Sequence, residues 1–370
     1  MLLQGIHDGR LYATDYRALS VETAPATFEA RGRLPNPRHG IDGFRYRLRT
    51  TRGWKSAVTA LTGHFPSVAV EQVGDDEFVA TSGQYLFASG DGGRTWSVAD
   101  SLPASSGPMG VLPSALCTHS GSVYLGEYPL ADGATPRLRR SDDGGQTWQT
   151  VASLPEVRHV HAVTVDPFTD DLWVTTGDAD AECQIGRLKD GQFQPVGGGS
   201  QRWRAVDLAF TPSAILWGMD CVYADENLLL RLPRSELDAS SPSPDPVHRL
   251  PSSVYYSASW DDDGTQWVAF STAVETTPDS TATDSTVQSA DRAHVVAASA
   301  ASDFSEWVDV CSYAPRRSLG DRIGVVPSAN TYLFLAADDE RGLVVNPYNT
   351  ARDHGRITKV SPRQMARIHE

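Results

Sequence analysis

The sequence predicts an all-β chain of repeated four-stranded antiparallel units, closed as a seven-bladed β-propeller, on three observations. A short apolar strand that carries an aromatic and ends in a small or acidic residue recurs seven times. Helical periodicity is scarce along the chain. Two eight-residue segments, 89–96 and 141–148, match almost letter for letter. Strand repeats at this period are the mark of propeller blades.

In chain order the aromatic strands are read at Leu11–Asp15, Phe78–Ser82, Val123–Glu127, Leu172–Asp178, Leu216–Asp220, Gln266–Ser271 and Leu333–Asp338. Their aromatics are 66, 46, 49, 44, 50 and 67 residues apart, spacings that suit four-stranded units. The two long spacings each hold an insert. One is 33–64, through Gly40-Ile41-Asp42-Gly43 to His64. The other is 274–295, whose Glu275-Thr-Thr-Pro-Asp-Ser tract has the composition of a loop. Ser240–Pro246 reads as a surface connection. None of these marks a domain boundary, so residues 1–370 read as one propeller domain. Six blades is the alternative, because the unit around Tyr12 is short and can combine with the C-terminal segment.

The duplicated segments, Ser89-Gly-Asp91-Gly-Gly93-Arg-Thr95-Trp96 and Ser141-Asp-Asp143-Gly-Gly145-Gln-Thr147-Trp148, both read Ser-x-Asp-x-Gly-x-Thr-Trp. Such a pattern makes a hairpin: Ser and Asp side chains bond turn amides, Gly accepts positive φ, and Trp opens the next strand over the turn. The pattern resembles the Asp-box, or BNR repeat, of sialidase-like β-propellers. That resemblance implies that these aspartates are structural and lie on the face away from a ligand. It also implies kinship with cytoplasmic propellers of surface-polysaccharide or glycoprotein-glycan pathways. A bacterial-type sialidase carries Phe-Arg-Ile-Pro near its N-terminus, where Phe44-Arg45-Tyr46-Arg47 lacks the last two residues. True sialidase activity and its arginine triad are therefore not carried over.

Composition narrows the function classes. The chain has 46 acidic and 32 basic residues, net −14, which argues against binding nucleic acid or an anionic membrane, since both need a basic face. Lysine occurs only at Lys55, Lys189 and Lys359, and aspartate outnumbers glutamate. This pattern resembles proteins of salt-in halophiles. Met1–Asp8 has neither a basic nor an apolar signal region, and no apolar run reaches the 18 residues of a spanning helix. Cys117, Cys183, Cys221 and Cys311 stand far apart without Cys-x-x-Cys spacing, as buried thiols of a reduced, cytoplasmic protein do. No cofactor is implied, although a divalent metal remains possible.

Candidate functional residues gather where a propeller brings them together, at the starts of inner strands and the loops after second strands. Counting back from the aromatic strands reaches His64, His161, Arg204, Tyr255 and Arg322. His159-Val160-His161 is the sharpest local feature, since alternation along a strand points both imidazoles one way. Arg202-Trp203-Arg204 is its counterpart in the next unit. The second-strand loops supply Glu127-Tyr128, Asp178, Asp220 and Glu275. Within the 33–64 insert, Arg38, His39, Arg45 and Arg47 are a further source of positive charge.

Imidazoles beside guanidiniums can hold an anion and move a proton. The leading expectation is a carbohydrate-active protein that abstracts a proton from an acidic, uronate-containing glycan, as a C5-epimerase or lyase. His159, His161, Tyr128, Glu127 and Asp178 would then be catalytic, and Arg202, Arg204, Asp220, Tyr255, Glu275, Arg322 and His64 would bind substrate. The alternatives are a glycoside hydrolase with paired carboxylates and a non-catalytic glycan-binding or scaffold propeller. The expected partner is an oligosaccharide or a lipid-linked glycan.

Overall fold

The computed structural model describes residues 1–38, 40–50, 68–103, 109–222, 224, 226–275, 290–323 and 329–360. Their strands form seven consecutive sheets in which each strand lies antiparallel to the next in sequence. Strands β1 (Leu2–His7), β2 (Arg10–Asp15), β3 (Ala18–Ala24) and β4 (Thr27–Arg33) form the first sheet. The second holds β5 (Ala69–Gln72), β6 (Phe78–Ser82), β7 (Tyr85–Ser89) and β8 (Ser97–Ser101). The third holds β9 (Leu116–His119), β10 (Ser122–Gly126), β11 (Arg137–Ser141) and β12 (Gln149–Ser153). The fourth holds β13 (His159–Val165), β14 (Leu172–Gly177), β15 (Gln184–Lys189) and β16 (Gln192–Gly198).

The fifth sheet is β17 (Leu208–Phe210), β18 (Ala214–Gly218), β19 (Asn227–Pro233) and β20 (Asp245–Leu250). The sixth is β21 (Val254–Asp262), β22 (Thr265–Thr272), β23 (Ala293–Ser299) and β24 (Val308–Tyr313). The seventh shows three strands among the described residues, β25 (Tyr332–Asp338), β26 (Gly342–Tyr348) and β27 (Thr358–Val360). The chain is a seven-bladed β-propeller. The six-blade alternative fails because β1–β4 form a sheet of their own rather than completing the C-terminal one. The sheets fall into two compact units that part between Trp203 and Arg204, the first four in one and the last three in the other.

The aromatic repeat has a packing cause. Strands β6, β14 and β18 are buried along their whole length, so both faces take apolar side chains and alternation disappears. Apolar clusters fill the space between successive sheets. Phe78, Ala80 and Phe87 of the second sheet meet Tyr12, Leu19 and Val21 of the first. In the second unit, Val268 and Phe270 of the sixth sheet meet Ala209, Leu216 and Leu229 of the fifth. Outer strands β8, β12 and β16 are largely exposed and polar.

One aromatic strand differs from the rest. Leu333–Asp338 is the first strand of its sheet, β25, whereas the other six are second strands. Counting back from it therefore overshoots the blade, and Arg322 sits exposed in a short helix rather than at an inner strand. Inside the first insert lies a helix, α1 (Gly40–Thr50). Residue 39 and residues 51–64 of that insert, His64 among them, and residues 276–289 of the second lie outside the described residues.

The duplicated hairpins join β7 to β8 and β11 to β12, at the ends of β7 and β11 opposite those that join them to β6 and β10. Ser89 Oγ accepts the Gly93 amide at 3.0 Å. Asp91 accepts the Thr95 amide at 2.8 Å and hydroxyl at 2.6 Å. Trp96 Nε1 donates to Gly93 O at 2.9 Å. Ser141, Asp143, Gly145, Thr147 and Trp148 repeat each bond. Bonds to Thr95 hold the Asp91 carboxyl down to about 2, so it is an ionised acceptor fixed in the turn.

Candidate active site

The site is built on β13 and the segment that follows β14. In the ladder between them His159 opposes Gly177 and Val160 opposes Thr176, but Ala162 opposes Thr175. His161 is thus the extra residue of a β-bulge. The bulge resets the alternation, so Val160 and Val163, three residues apart, both enter the apolar cluster with Leu138 and Val174. His159 and His161 are left together on the polar side. The Val160 amide donates to Glu127 O at 3.1 Å, which ties the bulge to the segment after β10.

Asp178, the residue after β14, bridges the two imidazoles. His159 Nε2 lies 3.0 Å from Asp178 Oδ2 and His161 Nε2 lies 3.3 Å from Oδ1. Tyr128 stacks on His159 with centroids 3.9 Å apart and planes 7° from parallel. Burial lowers the pKa of His159 against the opposing pull of Asp178, so the ring is neutral at pH 7. A neutral ring bonded to a carboxylate through Nε2 carries its proton there. Neither Nδ1 has a hydrogen-bond partner among the described residues. The rings are only 2% and 1% exposed, whereas the Asp178 and Arg158 side chains are 25% and 40% exposed. The groups that can meet a ligand are therefore Asp178, Arg158 and half-buried Tyr128, with the imidazoles behind them.

Surrounding bonds fix the backbone of Asp178. Glu182 Oε2 accepts the amides of Asp178 and Ala179 at 3.1 and 2.8 Å. Gln201 Nε2 donates to Asp178 O at 2.9 Å. Arg158 meets Asp178 only at 4.0 Å and Asp132 at 3.8 Å, and its guanidinium makes no hydrogen bond among the described residues. Sequence reasoning placed Glu182 among the loop carboxylates with Asp178 but missed Arg158 and Gln201. Only Arg158 left a signal, its place directly before His159.

Other candidates are distributed differently. Glu127 is fully buried and its carboxylate is held by Arg137 Nε at 2.9 Å and Nη2 at 2.7 Å, so it is committed to a cation rather than to the imidazoles. Arg202 lies in the short turn 201–203 after β16. In the second unit, Arg204 Nη2 pairs with Asp220 Oδ2 at 3.3 Å. The Tyr255 hydroxyl donates to Glu275, and burial first, then Asp220 and Glu275, push this phenol far up. Tyr255 occupies a β-bulge in β21 as His161 does in β13. The fourth, fifth and sixth sheets thus each join a polar residue at or before the first strand to a carboxylate just after the second. Among the described residues no three His, Cys, Asp or Glu side chains are placed to hold a metal ion.

No protein-family model and no curated protein matches the chain. Among solved structures it is similar to hydrazine synthase of Kuenenia stuttgartiensis, at 10% identity over 81% of this chain and 77% of that one, TM-score 0.48. It is similar to oligogalacturonate lyase of Vibrio parahaemolyticus, at 11% identity over 80% and 78%, TM-score 0.46. An ancestral GH74 enzyme aligns at 11% identity with 94% of this chain and 52% of that one, TM-score 0.46. At these identities the likeness is one of fold.

Proposed function

We propose that the protein acts on an acidic, uronate-containing glycan by abstracting the proton next to the sugar carboxylate, as a C5-epimerase or lyase. The observation that carries this reading is one partly exposed carboxylate, Asp178, held by two buried imidazoles. Asp178 is the base. His159 and His161 orient it, which moves the proton-accepting role from the imidazoles expected by sequence to the group they hold. Arg158, held only by ion pairs of 3.8 and 4.0 Å, takes the sugar carboxylate and stabilises the charge that develops there as C5 loses its proton. Tyr128 offers a hydroxyl that can return a proton or protonate a departing oxygen. Reprotonation at C5 gives the epimer, and loss of the oxygen at C4 gives an unsaturated product.

A second reading, glycoside hydrolysis, has a specific observation behind it: Asp220 and Glu275 both act on the buried Tyr255 phenol. Incubation with uronate oligosaccharides separates the readings. Solvent deuterium at C5 or new ultraviolet absorbance supports proton abstraction, whereas new reducing ends without unsaturation support the hydrolase. Binding without turnover supports a glycan-binding platform.

A further inference from the structure

Exposed large apolar side chains are few among the described residues, and four of the eight lie on two connections. Each connection runs from the fourth strand of one sheet to the first strand of the next. In the first unit they are Ile41 and Phe44 of α1, 73% and 63% exposed. One helical turn separates them, so they share a face. The other face is tethered. Tyr46 Oη lies 3.3 Å from Ser82 Oγ, the Tyr46 ring meets Tyr85 edge-on, and Arg38 Nε donates to the Tyr85 hydroxyl at 2.8 Å. The helix is thus held to the second sheet by one side and presents Ile41 and Phe44 on the other.

Charge gives the occupant's sign. By sequence, α1 carries Arg45, Arg47 and Arg49 against Asp42 alone, in a chain of net charge −14. The second unit repeats the pairing more weakly on its own connection, where Leu319 and Ile323 are 53% and 62% exposed near Arg322, and Arg317 pairs with Asp321 at 3.1 Å. An apolar pair on a segment of net positive charge suits an anionic lipid surface, where apolar side chains enter the headgroup boundary and arginines meet phosphates. An acidic protein would satisfy the arginines, but Ile41 and Phe44 would then need a shaped pocket. A bilayer takes apolar side chains without one. Repulsion from the acidic remainder is short-ranged, because the Debye length is about 8 Å at physiological ionic strength. Among the described residues no helix is long and apolar enough to cross a membrane.

We propose that α1 is a lipid-surface anchor that lays Ile41 and Phe44 into an anionic bilayer. The inference is independent of the glycan reading and is tested without sugar, by sedimenting the full chain with vesicles of phosphatidylcholine with or without phosphatidylglycerol. Binding is expected to the anionic vesicles and to be roughly tenfold weaker or more on the neutral ones, falling with salt to a residual apolar contribution. The variant I41D/F44D should abolish the residual part, and R47E should weaken binding at low salt and flatten the loss on adding salt, while both keep the wild-type circular dichroism and melting profile. Equal partition to neutral and anionic vesicles, or none to either at low salt, overturns the proposal. So does a dimer or a bound acidic protein that I41D/F44D disrupts while vesicle binding is unchanged.

Discussion

Asp178 joins groups that are 19 and 17 residues away in the chain, and every contact it makes gives it one orientation. Removing its charge strands two buried imidazoles, so Asp178→Asn is expected to lower turnover by roughly 10²- to 10⁴-fold with little change in ligand affinity. Comparing kcat with Kd checks it. Arg158→Ala should instead raise Kd for an acidic oligosaccharide about tenfold or more and leave binding of its methyl ester unchanged, because a bidentate charged contact is lost only with the acid. The pH dependence follows from His159. Burial sets its folded pKa below the unfolded value of 6.5, so folding favours the neutral ring. Stability from that preference is full above 6.5 and is lost as pH falls through the folded pKa. His354 behaves alike, pushed down to about 4, first by burial and then by Arg316. Burial pushes Glu71 up to about 8 and Asp207 up to about 6, which adds stability as pH falls over the same range, so the histidine contribution is read as a difference: from pH 6.5 toward pH 4 the wild-type melting temperature is expected to fall relative to that of H159Q/H354Q, and activity to decline with protonation of His159. A melting-temperature difference that holds steady across this range would contradict both assignments.

At the scale of elements, what could be read from sequence depended on burial. Trp173 and Trp217 mark second strands because both faces of those strands are enclosed, so neither needs an alternating pattern to be found. Truncating Trp217 to Ala is expected to cost about 3–5 kcal/mol by chemical denaturation. The paired imidazoles were legible as His-x-His, but the bulge at His161 was not, since nothing in the letters marks an added residue. Helix α1 was also missed, because its glycines and arginines read as a polar insert and its stability comes from contacts of Tyr46 and Arg38 with the second sheet. Arg322 was misplaced by a count that assumed every aromatic strand to be the second of its blade. In the hairpins the letters sufficed. Gly93 has φ 78° and a Cβ there would meet Leu19 at 2.6 Å, so Gly93→Val is expected to destabilise by roughly 1–3 kcal/mol or more.

Across the whole molecule, the seven sheets repeat one plan, and three of them carry a polar residue joined to a carboxylate at the same strand ends. The repeat gives these three sheets the same pairing, and only the identity of the pair differs. Imidazoles in the fourth sheet, a guanidinium in the fifth and a phenol in the sixth give three chemistries on one frame. The fourth is distinguished by a partly exposed carboxylate beside a loosely held arginine, which is why proton transfer is proposed there. The most direct measurement is proton NMR of a uronate oligosaccharide incubated in deuterium oxide with wild type and Asp178→Asn. The account expects exchange at C5, or an unsaturated sugar, with wild type alone; an unchanged C5 signal with wild type, or equal exchange by both proteins, would contradict it.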